Sequence, residues 1–203
     1  IIESGQQQPP RLRSIPVWTV LLTLLASSLF GSLGIWQLGR AGEKRAIFAA
    51  YALGTTGALQ EGLGGANAGE QRYQLLRLQG HYDAGHQVLL DNMSHAGRSG
   101  YQVLTPFITA GGSVLVNRGW VPASGDRGRL PDIEVSGQPR LLTGRIDRLP
   151  RPALRLPADT VASAAPWPRR LLFPSMAEIS TQTGHALRDF QLLLNPDEPD
   201  GFL

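Results

Sequence analysis

The feature that most constrains this chain is a run of 24 residues without a charged side chain, from Ile15 to Leu38. At about 1.5 Å of rise per residue, a helix of this length exceeds the roughly 30 Å hydrocarbon core of a bilayer. A cleaved signal peptide has a shorter apolar region and a small-residue cleavage site, and no such site follows Leu38. The run therefore predicts a transmembrane helix at 15–38, preceded by an N-terminal tail at 1–14.

The residues around this span indicate its boundaries but not its direction. Trp18 and Trp36 lie near its two ends, where indole side chains favour the membrane interface. Basic residues stand on both sides, so charge alone does not set the orientation. Small residues would let a second membrane helix approach closely, although they are also common in membrane helices generally. These small residues are Ser27, Ser28, Gly31, Ser32 and Gly34.

The rest of the chain is nearly neutral, with 16 basic and 15 acidic residues from Ala41 onward. A nucleic-acid partner would require a concentrated basic surface, so none is expected. The sequence has no cysteine, which excludes disulfides, thiolate metal sites and cysteine nucleophiles. His81 and His86 are five residues apart across a predicted turn, which is not a common spacing for metal ligands, so we expect no metal site.

The segment 39–70 is predicted to contain a juxtamembrane helix and a glycine-rich loop. Residues 41–53 favour a helix that continues the anchor, and six glycines between positions 54 and 69 favour a loop. The pair Gly62 and Gly64 resembles the start of a nucleotide-binding fingerprint, but Asn67 stands where the third glycine would be, so we reject that function.

Residues 71–203 are predicted to form a β-rich domain. Short apolar runs separated by turn signals favour an antiparallel sheet that is curled or barrel-like. Ser175 and Glu178 form a capping box for a helix at 176–183, which Gly184 can end, whereas the proline-rich segment 148–170 favours an irregular loop. The fold class is thus α+β, mainly antiparallel β, with a transmembrane helix and one or two packed helices. The predicted strands are 73–79, 87–91, 101–108, 113–117, 141–147 and 190–195.

Four motifs carry a resemblance to a known family. They are G-I-W-Q-L-G-R at 34–40 with Lys44, G-H-Y-D at 80–83, G-Y-Q-V-L-T-P-F at 100–107 and V-L-V-N-R-G-W-V-P at 114–122. The last two are long and specific. Together they resemble the SURF1 (Surfeit locus 1, Shy1-like) family of cytochrome oxidase assembly factors.

The resemblance implies a function and a location. We expect an assembly factor, not an enzyme, that assists haem a insertion into subunit I of haem-copper cytochrome c oxidase or stabilises that subunit. The implied partners are subunit I, other assembly factors and the lipid bilayer, with haem a as a transient ligand. The implied location is a bacterial inner membrane, with the main domain on the periplasmic side.

The resemblance also implies a second membrane helix near the C-terminus, with a histidine proposed to contact haem a. Residues 39–203 contain no second apolar span, so we expect that helix and its histidine to be missing from this chain. A single N-terminal anchor at 15–38 is therefore expected here.

Two groups of motif residues are candidates for binding a partner or ligand. On a continuous helix, residues four apart share one face, so Trp36, Arg40 and Lys44 would emerge together from the membrane. Interfacial anchoring explains these residues equally well, and Gln37 is the member that it explains least. The second group lies at the ends of two predicted strands, at the start of 101–108 and at and after the end of 113–117. It consists of Tyr101, Asn117, Arg118, Gly119 and Trp120.

The second group has two interpretations. Arg118 offers five donors that could bind a carboxylate or a haem propionate, with Trp120 as an apolar surface beside it. Alternatively, Arg118 pairs with a carboxylate of the domain and Trp120 belongs to the core.

Two other classes of protein remain open. A membrane-tethered hydrolase could use a carboxylate pair such as Asp83 and Asp91, although the sequence lacks the common catalytic signatures. A permanent accessory subunit of the oxidase would remain stoichiometric in the mature complex.

Overall fold

A computed structural model describes residues 16–67, 69, 71–126, 128–151 and 166–202. The predicted tail at 1–14 and most of the proline-rich segment, at 152–165, lie outside the described residues. The chain divides into two compact units, Ile1–Phe48 and Ala49–Leu203.

Helix α1 spans Val17–Thr56, so the predicted transmembrane and juxtamembrane helices are one continuous helix. Its apolar residues lie on every side, as expected for a helix surrounded by lipid rather than packed on a core. Helix α1 is long and apolar enough to cross a membrane, and no residue in its most apolar stretch is buried within the protein.

The last turns of α1 belong to the second unit and pack within it. The rings of Tyr51 and Tyr73 meet edge to face at 5.6 Å, and the guanidinium of Arg145 lies 4.8 Å from the Tyr51 ring centre. A side chain at Gly54 would meet the main chain of Tyr73 at 2.5 Å. This close approach explains a glycine inside the helix, where glycine is otherwise unfavourable.

Eight strands and a second helix follow α1 among the described residues. All six predicted strands are present, and the structure adds two short ones, β1 and β7, the latter in the segment predicted to be irregular. The elements are β1 Gln60–Glu61, β2 Leu75–Tyr82, β3 Val88–His95, β4 Arg98–Thr109, β5 Gly112–Pro122, β6 Arg140–Asp147, β7 Arg169–Leu171, α2 Met176–Thr183 and β8 Leu187–Leu194.

Five of these strands close into a barrel, in the order β2, β6, β8, β5, β4 and back to β2. The pairs in the barrel are antiparallel except for β5 and β8, which run parallel. The short strand β1 pairs with β2, while β3 and β7 extend the sheet from β4. The prediction of an α+β fold with a barrel-like, mainly antiparallel sheet is confirmed.

Closure of the barrel depends on Gly80 in β2. Gly80 is opposite Arg140 of β6 and opposite Thr109 of β4, so β2 changes partner at this residue. A β-carbon at Gly80 would lie 2.0 Å from the carbonyl oxygen of Ile108. Only glycine allows the two strands to approach this closely, as is typical of a barrel corner.

The barrel interior is filled by apolar side chains from every strand of the barrel. Strand β5 is covered on both faces, because Val114 and Val116 pack in this interior whereas Leu115 packs with Ile179 of α2 in a second cluster. The wholly apolar V-L-V run is therefore explained by burial on both sides. The fully buried members of the interior include Leu76, Leu78, Phe107, Leu142, Ile146 and Leu192.

Helix α2 has the predicted bounds and the predicted caps. The hydroxyl of Ser175 accepts a hydrogen bond from the amide of Glu178, and the Glu178 carboxylate accepts one from the amide of Ser175. Gly184 ends the helix with φ of 73° and donates its amide to the carbonyl of Ser180. The capping box and the left-handed glycine thus fix where β8 can begin.

The closure at Gly80 generates a prediction about stability. Gly80→Ala should lower the free energy of unfolding by about 1–3 kcal/mol, because the new methyl group forces β2 and β4 apart. Gly125→Ala is the matched control, since Gly125 is exposed with no atom within 4 Å of an added β-carbon. Thermal unfolding of the detergent-solubilised chain, followed by circular dichroism, measures both. Equal melting temperatures for the two variants would contradict the proposed role of Gly80.

Candidate functional site

The N-R-G-W motif forms a β-bulge in β5. Gln102 is opposite Trp120 and Leu104 is opposite Asn117, so Val103 faces two residues, Arg118 and Gly119. Gly119 has φ of 108°, a conformation that other residues rarely adopt. The glycine of the motif is therefore required by the backbone at the bulge.

Asn117 holds this bulge in place. Its side-chain oxygen accepts a hydrogen bond from the amide of Gly119 at 3.1 Å. Its side-chain nitrogen donates to the side-chain oxygens of Gln102 in β4, at 3.1 Å, and Gln191 in β8, at 3.2 Å. A buried asparagine thus joins three adjacent strands and leaves its polar atoms satisfied.

Arg118 is buried, with only 3% of its surface exposed. Its guanidinium donates to the side-chain oxygen of Gln87 at 2.9 Å and to the carbonyls of Ile133, at 2.9 Å, and Asp200, at 3.0 Å. A longer bond reaches the carbonyl of Glu134 at 3.3 Å. Within the described part of the chain these partners are an amide and main-chain carbonyls, so the expected pairing with a carboxylate is wrong.

Aromatic rings complete the surroundings of Arg118. Its guanidinium carbon lies 4.8 Å from the ring centre of Phe202 and 5.8 Å from that of Tyr82. Burial lowers the pKa of Arg118, and the neighbouring cation Arg140 acts in the same direction. Burial also raises the pKa of the Tyr82 hydroxyl to about 12, despite the opposing effect of the two cations.

Tyr101 and Trp120 are core residues. Tyr101 is fully buried with Leu89, Val103 and Ile133 in a third apolar cluster. Trp120 is 6% exposed and donates its indole NH to the carbonyl of Met93 at 3.1 Å.

Position 100, where the G-Y-Q-V-L-T-P-F motif begins, must be glycine because the Trp120 ring packs against it. A β-carbon at Gly100 would lie 2.4 Å from the indole of Trp120 and 2.2 Å from the carbonyl oxygen of Val121. The two long motifs are thus complementary halves of one packed interface between β4 and β5.

The other group of predicted site residues is exposed. Trp36, Gln37, Arg40 and Lys44 all lie on the exposed surface of α1, and the guanidinium of Arg40 lies 5.7 Å from the Trp36 ring centre. The structure therefore brings Trp36 and Arg40 together on one face, as the four-residue spacing predicts.

An open cavity of about 860 Å³ lies between the end of β6, α2 and the start of β8. Its described lining combines cationic side chains with apolar ones. These residues include Arg148, Arg151, Arg188, Phe173, Met176 and Phe190.

A cluster that the sequence argument missed consists of Asp83, His86 and His185. One carboxylate oxygen of Asp83 lies 2.6 Å from Nδ1 of His86 and 2.7 Å from Nε2 of His185. Burial raises the pKa of Asp83, but the hydrogen bonds from His185 and His86 outweigh it and leave the pKa below its ordinary value. His185 is 102 residues from Asp83, so no local spacing could have found it.

Comparison with known families agrees with the motifs. The SURF1 family profile matches residues 24–202, which is nearly the whole chain. The chain belongs to the SURF1 family. Members of this family are assembly factors, and membership gives the protein a role in the assembly of cytochrome oxidase. No curated protein sequence matches the chain significantly.

Within this SURF1 protein, the buried motif residues maintain the barrel. Arg118→Lys should lower the free energy of unfolding by about 2–3 kcal/mol, because one ammonium cannot satisfy acceptors arranged around a planar guanidinium. Arg98→Lys provides the control, since Arg98 is exposed at the start of β4. Chemical denaturation measures both changes. An Arg118→Lys variant as stable as the parent would show that the network contributes little.

Proposed function

We propose that this SURF1 protein assists the insertion of haem a into subunit I of cytochrome oxidase, or stabilises that subunit while it receives the haem. It acts by binding one conformation of its partner more tightly than another, so no covalent bond need be made or broken. Helix α1 crosses the inner membrane, and the barrel domain lies on the periplasmic side.

The observation that carries this proposal is the contrast between the two groups of motif residues. Asn117, Arg118 and Trp120 are buried, and their polar groups bond other residues of the barrel domain. Trp36 is 54% exposed, and Arg40 and Lys44 are exposed on the same face of α1. Internal packing therefore accounts for the barrel residues, whereas the helix residues remain available to a membrane partner.

The shape of α1 also suits a helical partner. Gly31 and Gly34 have no atom within 4 Å of an added β-carbon, and the hydroxyl of Ser32 donates to the carbonyl of Ser28 within the helix. Such a surface allows close approach of a second helix, and the hydroxyl of Ser32 is satisfied within its own helix. A transmembrane helix of subunit I is the partner that we propose.

A transient haem a contact is the finer part of the proposal. The cavity of about 860 Å³ falls in the range of about 300–1,000 Å³ typical of ligand pockets. Its arginines would bind propionates while Phe173 and Met176, which are only partly buried, contact the macrocycle. Absorbance titration of the purified chain with haem a would show saturable binding that Arg188→Ala weakens, and the absence of saturation would contradict the haem contact.

The recognition face on α1 gives a sharper test. Arg40→Ala should weaken association with subunit I by about tenfold, as expected for a residue worth roughly 1.4 kcal/mol at an interface. Arg45→Ala is the matched control, because position 45 lies about 140° around the helix from position 40 and loses the same charge. Both are made in a strain that lacks the native gene. The readouts are co-purification of subunit I and the haem a content of the purified oxidase.

The two variants separate recognition from simple anchoring in the membrane. The proposal predicts that Arg40→Ala lowers both readouts while Arg45→Ala leaves them near the parent values. If both variants behave alike, the face around Trp36 and Arg40 has only an interfacial anchoring role. Normal haem a content in the gene deletion itself would overturn the proposed function altogether.

A further inference from the structure

Two loops, the one between β2 and β3 and the one between α2 and β8, bring Asp83, His86 and His185 to one place on the second unit. Asp83 directly follows β2, and its amide donates to the carbonyl of Pro106 at 2.9 Å. His86 lies two residues before β3, and His185 follows the residue that ends α2. Each residue therefore extends from the end of a regular element, so the positions of the three side chains are set by the fold.

We propose that these three residues form a binding site for one divalent transition-metal ion. Their ligand atoms all lie within 4.8 Å of one another. Two imidazoles and one carboxylate form a recurrent donor set for zinc and related ions. Because the chain contains no cysteine, the donor set includes no thiolate. Imidazole donors favour borderline ions, so the site would select ions of this class. The class includes Zn²⁺, Co²⁺, Ni²⁺ and Cu²⁺.

The present distances require only a small adjustment. A tetrahedral ion with bonds of about 2.1 Å holds its ligand atoms about 3.4 Å apart. The shared oxygen of Asp83 lies 2.6 and 2.7 Å from the two ring nitrogens, so it would retreat by less than about 1 Å as the ion replaces the hydrogen bonds. Side-chain torsions alone can supply such a movement.

Further contacts orient the Asp83 carboxylate and the His86 ring. The other oxygen of Asp83 accepts a hydrogen bond from the amide of Gly85 at 3.1 Å. The ring of Trp167 packs edge to face on His86, with ring centres 4.9 Å apart. Contacts of this kind orient metal ligands in known sites, so two of the three ligands are held in place before any ion binds.

The site is accessible and leaves one position open. The side chains of Asp83, His86 and His185 are 20%, 40% and 28% exposed, so an ion can enter from solvent. Three protein ligands leave the fourth position of a tetrahedral ion to water or to an atom of a bound partner. The ion would also connect the loop between β2 and β3 to the junction of α2 and β8, independently of any role in oxidase assembly.

Metal titration of the full-length chain tests the site. The detergent-solubilised protein is prepared without a histidine tag, treated with a chelator and titrated with Co²⁺, whose visible absorption reports on its ligands, and then with Zn²⁺ as a competitor. We expect one ion per chain. His86→Ala and His185→Ala should each weaken binding by at least about tenfold.

His81→Ala is the matched control, because His81 is exposed and outside the cluster. It should bind Co²⁺ as the parent does. The parent and His81→Ala should also gain thermal stability as the Zn²⁺ concentration rises, whereas His86→Ala and His185→Ala should not. Circular dichroism without metal checks that each variant is folded.

Electron paramagnetic resonance of the parent protein with one equivalent of Cu²⁺ gives a test that needs no variant. The site predicts hyperfine splitting from two imidazole nitrogens. Absence of stoichiometric binding, absence of nitrogen splitting, or equal weakening by His81→Ala would overturn the proposal. In each of those cases the three residues form a hydrogen-bonded cluster and nothing more.

Discussion

The rest of the barrel depends on the hydrogen bonds that the buried Arg118 guanidinium donates. It joins the bulge of β5 to Gln87 before β3, to the segment at Ile133 and to the main chain at Asp200. A buried cation that lost these acceptors would destabilise the domain by several kcal/mol, so the surrounding segments have little freedom to move. Arg118 therefore supports the fold, and the exposed face of α1 is the surface that we propose for recognition.

The sequence was most informative where one local pattern decides one local structure. The capping box at Ser175 and Glu178 and the glycine at 184 predicted α2 to the residue, because these effects act within a single turn. The uncharged run at 15–38 predicted an apolar helix for a similar reason. Strand positions were correct, but their ends moved by several residues where pairing with a neighbour extended them, as in β5, which runs to Pro122.

What could not be predicted depends on contacts between distant segments. Gly80 and Gly100 gave no local signal that one closes the barrel and the other contacts Trp120. The expectation of a carboxylate partner for Arg118 failed because its acceptors are main-chain carbonyls, which residue type does not reveal. Comparing only His81 with His86 overlooked His185, which the fold brings to Asp83 from 102 residues away.

In our proposal, the barrel is held together by its own motifs, and helix α1 contacts the partner. Exchange of residues 17–48 for an unrelated transmembrane helix of equal length tests this separation most directly, because the barrel motifs are left unchanged. Co-purification of oxidase subunit I with the exchanged protein is the measurement. The account predicts that the barrel remains folded while subunit I is lost. Retention of subunit I at the parent level would contradict it and would place recognition on the barrel.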